Sequence, residues 1–204
     1  MGLTFYRNIT LDCSVGTMTI FFTSDHHFGH YNVIKYCNRP FTSAQQMDEI
    51  MILRWNETVL PDDEVYYLGD FAMHPSTVTK ILPRLNGRKY LIMGNHDRCF
   101  KGNSDRWKLH YTAAGFESLA SEKEIEIVTQ SVRLHHFPYQ NPNDPDQRYF
   151  DHRPKDDGRW LLHGHVHNRW KIKDKQINVS VEVWDYKPAP LAEIEAIIKA
   201  DNRG

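Results

Sequence analysis

The chain has 204 residues, with 25 Lys and Arg against 26 Asp and Glu and a net charge of −1. That length suits one well-buried domain, and the near-neutral balance excludes a global field drawing the molecule to nucleic acid or an anionic membrane. No apolar run reaches membrane-spanning length; the unusual count is histidine, 12 in all, a common metal ligand and proton carrier.

Residues 1–17 carry little pattern and are expected to form an N-terminal arm or an extra strand ahead of a single domain over 18–204. They lack the charged-then-apolar layout of a secretory leader, and Tyr6 stands where an acylation motif after Gly2 needs Ser or Thr. Cys13, Cys37 and Cys99 are odd in number and far apart, so reduced thiols and a cytoplasmic location are expected. The Asn-x-Ser/Thr triplets at Asn8, Asn56 and Asn178 then read as coincidence.

Onward along the chain, strands are predicted at about 18–24, 64–68, 88–93, 116–120, 124–128, 131–136, 160–163 and 175–183. Helical patterns cover about 31–37, 43–59, 75–85, 104–113 and 190–200. The second helix opens on Thr42 or Ser43 as N-cap and stops before Pro61. In the last, Leu191, Ile194, Ile197 and Ile198 make a stripe that should face the core. Early strands alternate with helices, which predicts crossovers and a largely parallel sheet; later ones follow closely, which predicts hairpins. The stretch YQNPNDPDQRYFDHRPKDDGR, from Tyr139 to Arg159, is aperiodic and holds three prolines, the marks of a long loop.

Five predicted strands share one ending. MTIFFTS runs into Asp25 and His27, VYYLG into Asp70, KYLIMG into Asn95, His96 and Asp97, SVRLH into His136, and WLLHG into His165 and His167. Carboxyl ends of strands are where α/β sheets bind ligands, so five such ends can converge on one point. Gly69, Gly94 and Gly164 beside them permit tight, left-handed turns. His135 and His136 are adjacent, and the strand-end pattern alone admits either.

The ordered set D-x-H, G-D, G-N-H-D, H-x-P and G-H-x-H resembles the calcineurin-like metallophosphoesterases in all five motifs. SDHHFGHYNVIKYCNRPF and NVSVEVWDYKP are similar to the small bacterial and phage members of that family. The resemblance implies a four-layer α/β/β/α sandwich of mixed sheets with two divalent metal ions at the sheet edges. It assigns Asp25, His27 and His167 to one ion, Asn95, His136 and His165 to the other, and Asp70 as their bridge. Its H-x-P spacing selects His136, and strand alternation sends His135 to the opposite face. His96 becomes the catalytic histidine, with Asp97 orienting its ring.

A ligand set of N and O donors without thiolate suits Mn, Fe, Ni, Co or Zn better than Ca or Mg, with Mn²⁺ favoured. The implied reaction is attack of a dinuclear metal-activated hydroxide on a phosphate ester, by analogy a small nucleotide-type phosphodiester such as a cyclic nucleotide. Phosphomonoesterase or protein phosphatase, nuclease, and metal-stabilised protein-binding scaffold are the alternatives. The near-neutral charge and the lack of a basic, aromatic-interleaved stripe argue against extended nucleic-acid binding. Substrate contacts are expected from His30, Arg39 and Arg98, with Arg148, His152 and Arg153 as a basic lid. Trp107 and Trp170 are expected at the cleft edge and Trp160 and Trp184 in the core; His26, His74 and His163 are expected to be structural.

Overall fold

Successive side chains on the first strands point to opposite faces of the sheet, and that sets the architecture. In this computed structural model, which describes residues 18–100 and 105–201, β1 (Ile20–Thr23), β2 (Glu64–Tyr67) and β3 (Arg88–Ile92) run parallel. Phe21, Val65, Tyr67 and Leu91 enter one apolar core, whereas Phe22, Tyr66, Leu68 and Ile92 enter a second on the opposite face. The first core is completed by α1 (Tyr31–Tyr36), α2 (Ala44–Thr58), α3 (Pro75–Ile81) and α4 (Asp105–Ala114). β4 (Phe116–Ala120) extends this sheet in parallel, and β10 (Ala189–Pro190) pairs antiparallel with β1 at the other edge.

The second core lies between that sheet and another five-stranded one. Its order is β5 (Glu122–Ile127), β6 (Gln130–His135), β7 (Trp160–His163), β9 (Gln176–Asn178) and β8 (Ile172–Lys173). β5–β6 and β8–β9 are antiparallel, while β6–β7 and β7–β9 are parallel. The fold is thus mixed α/β with two mixed sheets face to face, as the resemblance implies. α5 (Leu191–Asp201) closes the second core with Ile194 and Ile198 fully buried, the predicted stripe.

Local chemistry accounts for the element ends. Ser43, one of the two candidate caps, accepts from the Gln46 N–H, and Gln46 Oε1 accepts from the Thr42 N–H at 2.7 Å, a reciprocal cap on α2. The predicted helix 75–85 divides: α3 gives way to a 3-10 turn at Leu82–Arg84, where Pro83 supplies no N–H. The predicted strand 175–183 stops early because Asn178 turns the chain. Its Nδ2 donates to the carbonyls of His167 and Trp170, and a 3-10 turn follows at Val181–Val183. β8 and β10, two residues each, are too short to show a period. The arm or strand expected over 1–17, with Cys13 and Asn8, lies outside the described residues, as does residue 104 of the fourth helix. Among the described residues no helix is long and apolar enough to cross a membrane.

Candidate metal centre

The carboxyl ends of β1, β2, β3, β6 and β7 deliver every candidate ligand to one place. Asp25, His27, Asp70, His165 and His167 all have left-handed backbone, with φ of 59, 52, 62, 70 and 51°. For residues with a Cβ that conformation costs on the order of 1–3 kcal/mol each, and it clusters where a structure needs it. The expected source of these turns was the neighbouring glycines, and only Gly69 (φ +90) behaves so. Gly94 and Gly164 are glycine for want of room. A Cβ on Gly94 would meet Asp70 Oδ1 and stand 2.6 Å from the Asp70 nitrogen; one on Gly164 would meet Asp25 Oδ2 and stand 2.7 Å from the Ser24 Cβ.

Asp25 is fully buried and divided in its duties. Oδ2 takes hydrogen bonds from Ser24 Oγ (2.6 Å), Ser180 Oγ (2.7 Å) and the His165 N–H (2.9 Å). Oδ1 has no hydrogen-bond partner. It lies 3.9 Å from His27 Nε2 and 4.0 Å from His167 Nε2. Both ring nitrogens of His27 are also buried and unpartnered. Asp70 Oδ1 accepts the His96 N–H at 2.8 Å, while Oδ2 sits 3.5 Å from His27 Nε2 and 3.6 Å from His136 Nε2. The His136 Nδ1–H donates to the Leu68 carbonyl at 2.7 Å, which turns Nε2 toward Asp70 and to 3.1 Å from Asn95 Oδ1. His165 packs its ring 5.3 Å from that of His136. Burial, with the charges of neighbouring groups, lowers the His165 pKa to about 2, so the ring is neutral. His135 turns away and its Nδ1 accepts the Phe137 N–H, leaving His136 as the strand-end histidine in the cluster.

Isolated buried polar atoms are costly, yet here they converge. Asp25, His27 and His167 form one group with donor atoms within 4.8 Å of one another, and Asp25, Asp70 and His136 another. Asp70 belongs beside both, its Oδ2 lying between His27 and His136. These side chains fit divalent cations: the orphaned atoms are oxygen and imidazole nitrogen, and the Asp70 carboxylate stands close to both His27 and His136.

Around the cluster opens a cleft of ≈ 510 Å³. His96 faces it with a side chain 37% exposed, Nε2 4.0 Å from Asp70 Oδ2. His30 lines it, as do Tyr36 from α1 and Arg148, Tyr149 and Arg169 from the later loops. Tyr149 (φ 59) stacks on Phe137 at 5.4 Å and meets the His165 ring edge-on at 5.9 Å. Nothing in the sequence singled out Tyr36, Tyr149 or Arg169: Tyr36 is an exposed residue closing a six-residue helix, and Tyr149 and Arg169 lie on short irregular segments that carry no period.

The structure places several of the expected site residues elsewhere. Asp97 is fully buried, and its carboxylate accepts the backbone N–H groups of Gly94 (2.8 Å), Asp70 (3.0 Å) and Phe71 (3.1 Å). None of these bonds runs to the His96 ring: Asp97 ties the β2 and β3 ends together. Burial first, then the Asp70 charge, raises its pKa to about 7 against those three N–H donors. Arg39 is 4% exposed, turned inward to Glu182, and does not line the cleft. Arg98 is exposed on the turn beyond Asp97 and does not line the cleft. Of the expected lid only Arg148 reaches the cleft. Arg153 is buried, donating to Asp144 Oδ2 and the Asp146 carbonyl, and so knots the 139–159 loop from inside. His152 instead packs on Phe100, and Trp107 and Trp170 pack on the first core and on His163. Trp160 and Trp184 are buried in the second core as expected, and His26 is fully buried with Nδ1 2.6 Å from the Tyr67 hydroxyl.

No family model matches the chain. An uncharacterized protein of Methanocaldococcus jannaschii is 34% identical over 190 residues, spanning 88% of this chain and 91% of its own length. The gene 66 protein of Mycobacterium phage L5 is 31% identical over 180 residues, 80% of this chain and 86% of that protein. Among solved structures, a protein of unknown function from Aquifex aeolicus superposes with a TM-score of 0.68 at 30% identity, covering 89% of this chain and 100% of the other.

Proposed function

We propose that the chain, which belongs to one family with the archaeal and phage relatives above, is a calcineurin-like metallophosphoesterase that hydrolyses phosphoric esters with two divalent cations, its substrate a small nucleotide-type phosphodiester such as a cyclic nucleotide. The observation that carries this reading is the convergence of unpartnered Asp25 Oδ1 and His27 Nε2 on an Asp70 carboxylate that also faces His136. Asp25, His27 and His167 would hold one ion, Asn95, His136 and His165 the other, with Asp70 shared. When bound, such a pair supplies Lewis acidity to the phosphoryl oxygens and an acidified water.

The protein's own groups do the rest. The His96 N–H is anchored to Asp70 Oδ1, so the ring's root is fixed to the shared carboxylate while the ring itself faces the cleft. There it would hold a proton for the departing ester oxygen. Asp97 acts one step back, fixing the turn that carries His96 and the turn that carries Asp70. His30 lines the cleft and would meet a substrate oxygen there.

The test is an assay of purified protein with Mn²⁺ on a chromogenic diester and the matching monoester, followed by a panel of 2′,3′- and 3′,5′-cyclic nucleotides. Hydrolysis of the diester with one preferred cyclic nucleotide supports the reading. A monoester preference would redirect it to a phosphomonoesterase, and two bound ions without turnover of either ester would favour a scaffold.

A further inference from the structure

Behind the cluster lies a buried ionic frame. Glu182, in the 3-10 turn after β9, has a side chain 1% exposed. Its Oε1 accepts from Arg39 Nε (3.0 Å), Arg39 Nη2 (2.5 Å) and His167 Nδ1 (2.8 Å). The same guanidinium donates from Nη2 to the Asp25 carbonyl (2.6 Å) and from Nη1 to the His26 carbonyl (2.7 Å). One planar fork therefore links the backbone of the β1 end to the carboxylate that holds His167. Its fixed donor geometry is what a lysine lacks.

We propose that Arg39 and Glu182 are the positioning pair of one half of the centre, setting Asp25, His27 and His167 as a unit and leaving the other half to different supports. Glu182 fixes the His167 ring through Nδ1, so that Nε2 faces Asp25 Oδ1. A carboxylate behind a ligating imidazole fixes its tautomer and makes it a stronger donor. His136 in the other half is backed by a neutral carbonyl, that of Leu68. The two halves are thus unequal by construction, and the charged frame serves only one. This inference rests on the dinuclear reading above.

The experiment titrates metal-stripped protein with Co²⁺, following heat and the visible spectrum, for wild type, Glu182→Gln and the double variant Arg39→Met/Glu182→Gln. The double variant is included because the single one leaves a buried guanidinium without its anion, which is strongly destabilising; circular dichroism checks that each is folded. Wild type should take two ions. Each folded variant should lose about 10- to 100-fold in affinity at one site and keep the other. Two ions in wild type with unchanged variants overturn the positioning pair alone, as does equal weakening of both sites. No ion in wild type overturns the functional reading and this inference with it. A cobalt–thiolate charge-transfer band in wild type would overturn it too, since Cys37, His167 and Glu182 also lie close enough to share an ion as direct ligands.

Discussion

The floor and the wall of the cleft are built on opposite plans. On the floor, Asp25, Asp70, Asn95 and His136 are 0–2% exposed, each placed by the end of a strand. On the wall, Tyr36 is 76% exposed and the Arg148 side chain 79%. The Arg148 side chain pairs with Asp146, two residues away on its own loop. Rigid sheet ends hold reacting groups to a fraction of an ångström, which chemistry demands; exposed loops vary at little cost in stability. The floor should therefore govern turnover and metal content, and the wall should govern recognition.

Substitutions that break this division rank by effect. Asp70→Asn preserves size and tolerates the left-handed backbone, yet removes the shared charge; turnover should vanish and elemental analysis should find the ions depleted. His96→Ala should cut kcat by about 10²- to 10⁴-fold with metal content intact, and wild-type turnover on a diester would exclude His96 as the proton carrier. Gly94→Ala forces a methyl group into Asp70 and should cost both activity and about 1–3 kcal/mol of stability in a denaturant titration. The control is Gly158→Ala on the outer loop, where φ is +79 but nothing stands within 4 Å; it should cost about 1 kcal/mol and leave kcat alone. Smallest is Tyr149→Ala, expected to raise KM by about 2- to 10-fold through lost ring contact while kcat holds. A fall in kcat instead would place Tyr149 with the floor.

The same division explains what the sequence disclosed. The candidate ligands were legible because each follows a short apolar run, a local property read without partners. His136 was separable from His135 by the parity of the strand that carries them. Arg39 was misread for the converse reason: a cation soon after a ligand motif looks like a phosphate contact, and its actual partner lies 143 residues away. Glu182 passed unnoticed within NVSVEVWDYKP, since nothing local marks a buried carboxylate. Asp97 was credited with its sequence neighbour His96, whereas the N–H groups it accepts belong to Gly94 and to β2's end. The loop 139–159 was recognised only by its lack of period; the knot at Arg153 depends on groups that no pattern connects.

Asp25, His27, Asp70 and Asn95 follow strands of one sheet, while His136, His165 and His167 follow strands of the other. A cation gripped from both sides would bind only while the two sheets face one another, and so would work as a rivet through the sandwich. Mass action then makes resistance to heat a function of free metal: at a hundredfold excess over its dissociation constant a single ion adds about 2.7 kcal/mol. Stripping with a chelator should lower the melting temperature, and Mn²⁺ should restore it.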